Sequence, residues 1–552
     1  MRLILNDYIA SLREEGELDS LLTDLLFSKK IIPQTKTTKG ARQRGVDIEA
    51  LGRDESGKSH LFIVTVKRGD IDRDSWDGDK NAIRQSLDQI RETHLRLLPS
   101  KLKRLPCTII VTTNGEMRQT VDEDWKGYVE ANSNDGLDFE FWGLRKITDE
   151  IDENIVTNTT FQWADMSLFR KALALIEEID YDLLHFDLFL QKLLQKRLSI
   201  SNTIKIIRFI NLLQNIIYKW CVAQNNLKNS YLASELVVLR LTDYILVNGL
   251  DQNKQIRIEY SKLFTSQVNL AYEYIKKVQP QYSVEYRLGM YTQSVGCDYP
   301  LLCFEQLGIV AAVGHQLLYL QNVYGVQDPE VQKKVVFVGN CINELLVNNP
   351  AAHFPQFDDH LIEISMVLEF MFLTCQFDAG GMYIKNIITK LAEAYRFFHK
   401  FIPLFRADHE VLMKVWASSK SVEVNSSHLV LMLAEWTLIF GYLEGYNRIR
   451  MACQRNMAYE NLNLQVWIPD SETETSYYGK NVMHESGKVI TSIQLPEKYK
   501  DFINLIKDQA ELFFTEIELN KYAKASFLPY LASRRFRNLP FPQQWRRLIY
   551  KT

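Results

Sequence analysis

The alternation of apolar and polar positions changes character once along the chain. In residues 1–160 two periods are interleaved. Tyr8–Phe27 places Ile9, Leu12, Leu18, Leu21, Leu22, Leu25 and Leu26 at helical spacing. A polar stretch from Gln34 to Gly45 follows, and then three short Val- and Ile-rich runs, Gly45–Gly52, His60–Lys67 and Thr108–Thr113, read as strands. Asn81–Leu98 returns to helical spacing through Ile83, Leu87, Ile90, His94 and Leu97, Phe139–Trp142 reads as a further strand, and Arg145–Glu153 as a short helix. The predicted order is helix, two strands, helix, two strands, helix, which is a small sheet with helices packed on it.

From about Asp165 the strand pattern all but vanishes. Amphipathic stretches such as Leu183–Leu194, Ile204–Trp220, Ile256–Val278, Leu302–Tyr324 and Pro329–Val347 follow one another without a fixed-period repeat. Asn456–Pro496 interrupts them with Trp467-Ile468-Pro469-Asp470 and a strand-like Lys488–Gln494. The expected fold class is therefore α+β. A small α/β domain over 1–160 precedes an all-helical recognition or interaction region over 161–552, with a loop or hairpin inserted at about 456–496.

Composition narrows the function classes. The 65 Lys and Arg nearly balance 68 Asp and Glu, for a formal charge of -3, which argues against a polybasic nucleic-acid wrapper but leaves room for local basic patches. Seven scattered cysteines, with no CxxC pair, point to free thiols in a reducing cytoplasm and give no support for structural zinc. The N-terminus lacks the pattern of a secretory signal. Apolar runs such as Leu307–Val313 and Ile364–Thr374 are interrupted well before membrane-spanning length, so no membrane role is expected. Neither a GxxxxGK[ST] loop nor a Gly-rich dinucleotide fingerprint occurs. Any need for ATP or target sensing would fall to a protein partner, such as a separate ATPase or sensor, or to the helical region. A homo-oligomer stays open.

The block that carries chemistry is Gly45-Val46-Asp47-Ile48-Glu49-Ala50 with Phe62-Ile63-Val64-Thr65-Val66-Lys67. Residues two apart on a strand share a face, so Asp47 goes with Glu49 and Thr65 with Lys67. If these strands are neighbours, a carboxylate pair lies beside a lysine. That set suits metal-assisted phosphodiester hydrolysis: Mg²⁺ takes carboxylate oxygens, waters and a substrate phosphate, and an ammonium stabilises the developing anion. The bland alternatives are that Asp47 closes a turn with Arg44 and that Lys67 ends a strand in solvent.

At these residues the chain resembles the PD-(D/E)XK restriction-endonuclease-like superfamily over roughly residues 10–155. The shared order is a glutamate on the first helix, Gly-Val-Asp-Ile opening a strand, an apolar strand ending in lysine, and a helix with glutamines, here Gln85 and Gln89. The resemblance implies a Mg²⁺- or Mn²⁺-dependent DNA endonuclease. Asp47 would be a metal ligand, Glu17 the additional acid, Lys67 the lysine that assists the attacked phosphate, and Gln85 a residue near the site. Lys67-Arg68-Gly69-Asp70-Ile71 followed by Trp76 is similar to branches associated with prokaryotic restriction and anti-phage defence. One position departs from the pattern: the second acid, two residues before the lysine, is Thr65. Either Glu49 or Glu17 supplies the missing charge, or the domain is a degenerate DNA-binding or scaffold module acting with a partner.

Lys36, Lys39, Arg42 and Arg44 have no acid among them and form the candidate DNA-binding segment, with Arg91, Arg96, Lys101, Lys103 and Arg104 as a second set. A solvated loop and helix face is the plain alternative. His353, Asp358, Asp359 and His360 form the densest histidine–acid cluster, and their place between helices predicts a capping and loop role. The basic, aromatic C-terminus (Arg534, Arg535, Arg537, Trp545, Arg546, Arg547) is compatible with nucleic acid, a partner protein, or docking on its own domain.

Overall fold

The computed structural model describes residues 2–34, 45–53, 57–78, 82–156, 166–178, 181–292, 297–323, 328–398, 400, 403–404, 409–418, 425–455, 462–470, 473, 476–482, 488–516, 527–540 and 543–549. The chain divides into two compact units, Met1–Ser230 and Tyr231–Thr552.

The first unit is built on a five-stranded mixed sheet in the order β1 (Ile32–Pro33), β2 (Ile48–Arg53), β3 (Ser59–Lys67), β4 (Cys107–Thr113), β5 (Leu137–Trp142). β1, β2 and β3 are antiparallel neighbours, with Glu49 opposite Ile63 and Ile48 opposite Val64. β4 and β5 then join parallel to β3. Parallel neighbours need crossover connections, and helices supply them. Around the sheet stand α1 (Arg2–Ala10), α2 (Asp19–Ser28), α3 (Arg73–Asp77), α4 (Ile83–Gln89, continued by a π turn at Ile90–His94 and by α5, Leu95–Leu97), α6 (Gln119–Asn132) and α7 (Leu144–Ile151). The remaining helices of this unit are α8 (Met166–Leu175), α9 (Leu184–Leu193) and α10 (Ile200–Ala223).

Strand alternation assigns the two faces. Leu61, Ile63, Ile109, Val111 and Phe139 pack with Trp76, Ile83, Leu87, Ile90, Val121 and Trp125 in one core. There Trp76 meets the edges of Trp125 and Tyr128 at ring separations of 6.1 and 5.8 Å. Ile48, Ala50, Val64, Val66 and Ile110, also buried, point to the opposite face by the same alternation. Every residue of β4 is buried, as suits a central strand covered on both sides.

Two local departures from the expected elements matter. The helical spacing over Tyr8–Phe27 is broken: between α1 and α2 the backbone is extended at Arg13 and Glu15 and left-handed at Gly16 (φ +81°). The apolar series skips from Leu12 to Leu18, so no buried stripe holds residues 13–17 in a helix. In addition, α6 lies between the two parallel strands, carrying Val121, Trp125 and Tyr128 on its buried side where no helix was expected.

The described residues of the second unit are helical apart from a two-residue parallel pairing of Ser426–Ser427 with Asn463–Leu464 and a short antiparallel pairing of Val466–Ile468 with Lys488–Ile490 in the inserted segment. Leu361–Leu373 and Leu429–Ile439 are buried nearly all round. Asp298–Asn322 is long and apolar enough to cross a membrane by length and composition, yet 78% of its apolar window is buried inside the unit, as in a core helix. All seven cysteines are free, and five are buried.

In this unit the histidine–acid cluster caps and packs. The Asp358 carboxylate accepts hydrogen bonds from Ser427 Oγ (2.5 Å), His428 N (2.8 Å) and Leu429 N (3.2 Å), at the N-terminus of Leu429–Ile439. Burial pushes its carboxyl up to about 6 despite these donors. His360 stacks on Phe304 at 4.2 Å and is driven down to about 3 by burial. The C-terminal arginines dock on their own unit. Arg534 pairs with Glu235, Arg537 with Glu363 (2.6 Å) and Asp359 (2.9 Å), Arg546 with Glu435 (2.7 Å), and Arg547 with Glu369.

Candidate active site

Asp47 stands one residue before β2 and is held there by the ladder. Its N–H donates to Val64 O (3.0 Å), and the Val66 N–H donates to its Oδ2 (2.7 Å). Gly45 makes this approach possible. It adopts φ +77°, and a Cβ on it would lie 2.5 Å from the Ser86 carbonyl oxygen of α4. Only glycine fits both the backbone angle and the close helix.

Thr65, Lys67 and Asp19 lie near enough to Asp47 to influence its carboxyl, and the Glu14–Leu18 stretch packs on β3. The Thr65 hydroxyl and the Lys67 ammonium both favour the charged form of the Asp47 carboxyl. Burial nevertheless raises the Asp47 carboxyl above its ordinary range, and the Asp19 charge adds to the rise. Glu14 is raised in the same way. Burial is the largest cause, Lys67 opposes it, and Asp47, Asp19 and Glu15 reinforce it. Glu14 therefore feels the Asp47 charge, and Lys67 acts on both carboxyls. Asp19 is buried at the start of α2, where its Oδ1 accepts from Ser20 N (2.6 Å).

The two other acids named from the sequence lie elsewhere. Glu49 shares a face with Asp47, but its Oε2 is 2.9 Å from His94 Nε2 on the π turn after α4. Glu17 turns away from Asp47 toward α10: Lys219 Nζ donates to its Oε2 (2.6 Å), and Arg13 donates through its N–H (2.8 Å) and guanidinium (2.9 Å). Burial works against the Glu17 carboxylate, but these donors outweigh it and hold the group below its ordinary range. Gln85 and Gln89 are exposed on α4, next to the Gly45 approach. Lys36, Lys39, Arg42 and Arg44 lie outside the described residues. Of the second basic set, Arg96, Lys101, Lys103 and Arg104 are exposed, while Arg91 pairs with Asp88 (3.4 Å).

A polar knot fixes the geometry. The buried Asn114, just past β4, donates from Nδ2 to Ile9 O (3.3 Å), Ala10 O (3.1 Å) and Leu12 O (2.8 Å). Its Oδ1 accepts from Gly69 N (2.7 Å), two residues after Lys67. Thr113 Oγ1 adds a bond to Gly69 O (2.5 Å). One amide thus ties the end of α1, which leads into Glu14, to the turn that follows Lys67. Neither Asn114 nor Glu14 carried a motif that would single it out.

The donor set is one of hard oxygens. Among the described residues no three His, Cys, Asp or Glu side chains converge to enclose a metal ion. That arrangement does not suit a closed structural cage. Mg²⁺ keeps several waters and takes one or two carboxylates. Asp47 and Glu14 are the carboxylates available for it. No protein-family model matches the chain, and no curated protein or solved structure is detectably similar to it.

Proposed function

We propose that the first unit is a nuclease-like module that hydrolyses phosphodiester bonds in DNA with Mg²⁺ or Mn²⁺, and that the chain serves restriction or anti-phage defence, as the PD-(D/E)XK resemblance implies. The observation that carries this reading is that Lys67 acts on both Asp47 and Glu14, with the Glu14–Leu18 stretch packed on β3. An antiparallel β2–β3 pair followed by helices and a parallel β4 supports it further. Asp47 and Glu14 would hold the ion, which when bound polarises the phosphate and makes its water more acidic. Lys67 places positive charge where the phosphate gains negative charge. The Val66 N–H fixes the orientation of Asp47, and the exposed Gln85 is available to orient the phosphate.

The test is nicking of supercoiled plasmid with Mg²⁺ or Mn²⁺ by the full chain. Asp47→Ala and Lys67→Ala are each expected to slow nicking by about 10²-fold or more. Equal rates in the wild type and both variants would refute the site.

A second reading rests on Thr65. It is only 1% exposed and fills the position of the second acid with an uncharged hydroxyl, while His94 holds Glu49. On that reading the module binds DNA or a partner protein without cutting. No divalent ion would then support nicking, and DNA affinity would survive Asp47→Ala.

A further inference from the structure

The segment that carries Glu14 is held at both ends, and the second hold comes from the helical part of the same unit. At its start, Asn114 fixes the carbonyls of Ile9, Ala10 and Leu12. At its far end, Glu17 is gripped by Lys219 of α10, 202 positions away in sequence. Between these points the chain is extended at Arg13 and Glu15 and left-handed at Gly16, and the backbone is closed by wide turns from Leu18 N to Arg13 O (2.9 Å) and from Asp19 N to Glu14 O rather than by a regular α-helical ladder. The stretch also places Glu14, Glu15, Glu17 and Asp19 within six residues. Like charges this close repel one another, and the segment needs cations to stay compact. Lys219 and Arg13 supply them at Glu17. The Lys219 and Glu17 side chains are only 20% and 17% exposed, so solvent and salt screen the pair weakly. Contacts of α1 with α10, and the Arg208 guanidinium 5.6 Å from the Phe27 ring, keep α10 seated along the same side.

We infer that Glu17 and Lys219 are positioning residues. By clasping the Arg13–Leu18 segment to α10, their ion pair sets the Glu14 carboxylate beside Lys67 and Asp47, so that α10 controls the geometry of the acid–lysine site. The consequence for catalysis rests on the nuclease reading, whereas the clasp itself rests on geometry alone. Glu17 thereby acquires a role distinct from a ligand's: it acts through Glu14.

The experiment compares wild type, Lys219→Met and Lys219→Arg as full chains. It reads backbone amide exchange over residues 11–18 alongside plasmid nicking with Mg²⁺. Lys219→Met is expected to speed exchange in that segment about tenfold and leave the β3 and β4 amides unchanged. It is also expected to lower kcat for nicking about tenfold with the KM for plasmid unchanged, since small misplacements of a reacting group are costly. Lys219→Arg should restore both. Unchanged exchange in Lys219→Met overturns the clasp whatever the nicking rate. Faster exchange with undiminished nicking in an active enzyme overturns the positioning role. Faster exchange in a protein whose wild type does not nick removes the nuclease reading and leaves the clasp standing.

Discussion

Buried carboxylates in the two units meet positive charge in different proportions. In Tyr231–Thr552, Glu235, Glu363, Glu369 and Glu435 each receive an arginine from the C-terminal segment. Tyr530 (2.5 Å to Glu369) and Trp545 (to Glu435) add neutral donors. In Met1–Ser230, Lys67 acts on both Asp47 and Glu14, and Asp19 adds a further negative charge. In the first arrangement each carboxylate has an arginine of its own and the pairs specify packing, although burial still raises the Glu363 carboxyl. The second leaves negative charge uncompensated and both carboxyls raised, which is the condition in which a site takes up a proton or a cation. Residue type does not separate these two settings; the balance of partners does.

The comparison can be broken most sharply at Glu435. Its partner Arg546 is 1% exposed, so Glu435→Ala strands a buried guanidinium and is expected to cost about 3–5 kcal/mol. Urea unfolding of the full chain would show the loss as a lower midpoint, and a loss under about 1 kcal/mol would mean that Glu435 does not compensate the buried guanidinium. Asp358 is an intermediate case, because its carboxylate is satisfied by hydrogen-bond donors at a helix N-terminus and carries no arginine. Asp358→Ala is expected to cost about 1–2 kcal/mol in the same measurement. The smallest effect has the opposite sign. Glu14→Gln relieves crowding beside Asp47 and is expected to stabilise the protein by about 0.5–1 kcal/mol while reducing nicking. A destabilised Glu14→Gln variant would show that Glu14 is already balanced, and the contrast between the units would fail.

What the sequence reveals of this site is the part written in short-range periodicity. Strand alternation pairs Asp47 with Glu49 and Thr65 with Lys67, and the β2–β3 register brings the two pairs to one face. Periodicity cannot say which acid of an acidic segment faces the strand. The choice between Glu14 and Glu17 depends on the left-handed Gly16 and on Lys219, far away in the chain. The skipped apolar positions between Leu12 and Leu18 were the local sign of the break. Glu49 is held by His94, 45 residues distant, a contact that spacing does not predict. The spacing of Val121, Trp125 and Tyr128 was legible as a helical stripe, but the acidic residues between them masked it. The helical half was read correctly as helices from amphipathic spacing: Ile204–Trp220 lies within Ile200–Ala223, and Leu302–Tyr324 closely overlaps Asp298–Val323.

The Asn114 knot also dictates an order of assembly. A nascent chain that has emerged only as far as β3 already contains Asp47, Thr65 and Lys67. The carbonyls of Ile9, Ala10 and Leu12 have no fastener until Asn114 has been made, and Glu17 has no partner on α10 until Lys219 follows. Contacts of such long sequence separation form late, because loop closure must come first. The acidic corner is therefore completed only after synthesis has passed residue 219, and incomplete chains carry the strands of the site without its final carboxylate in place.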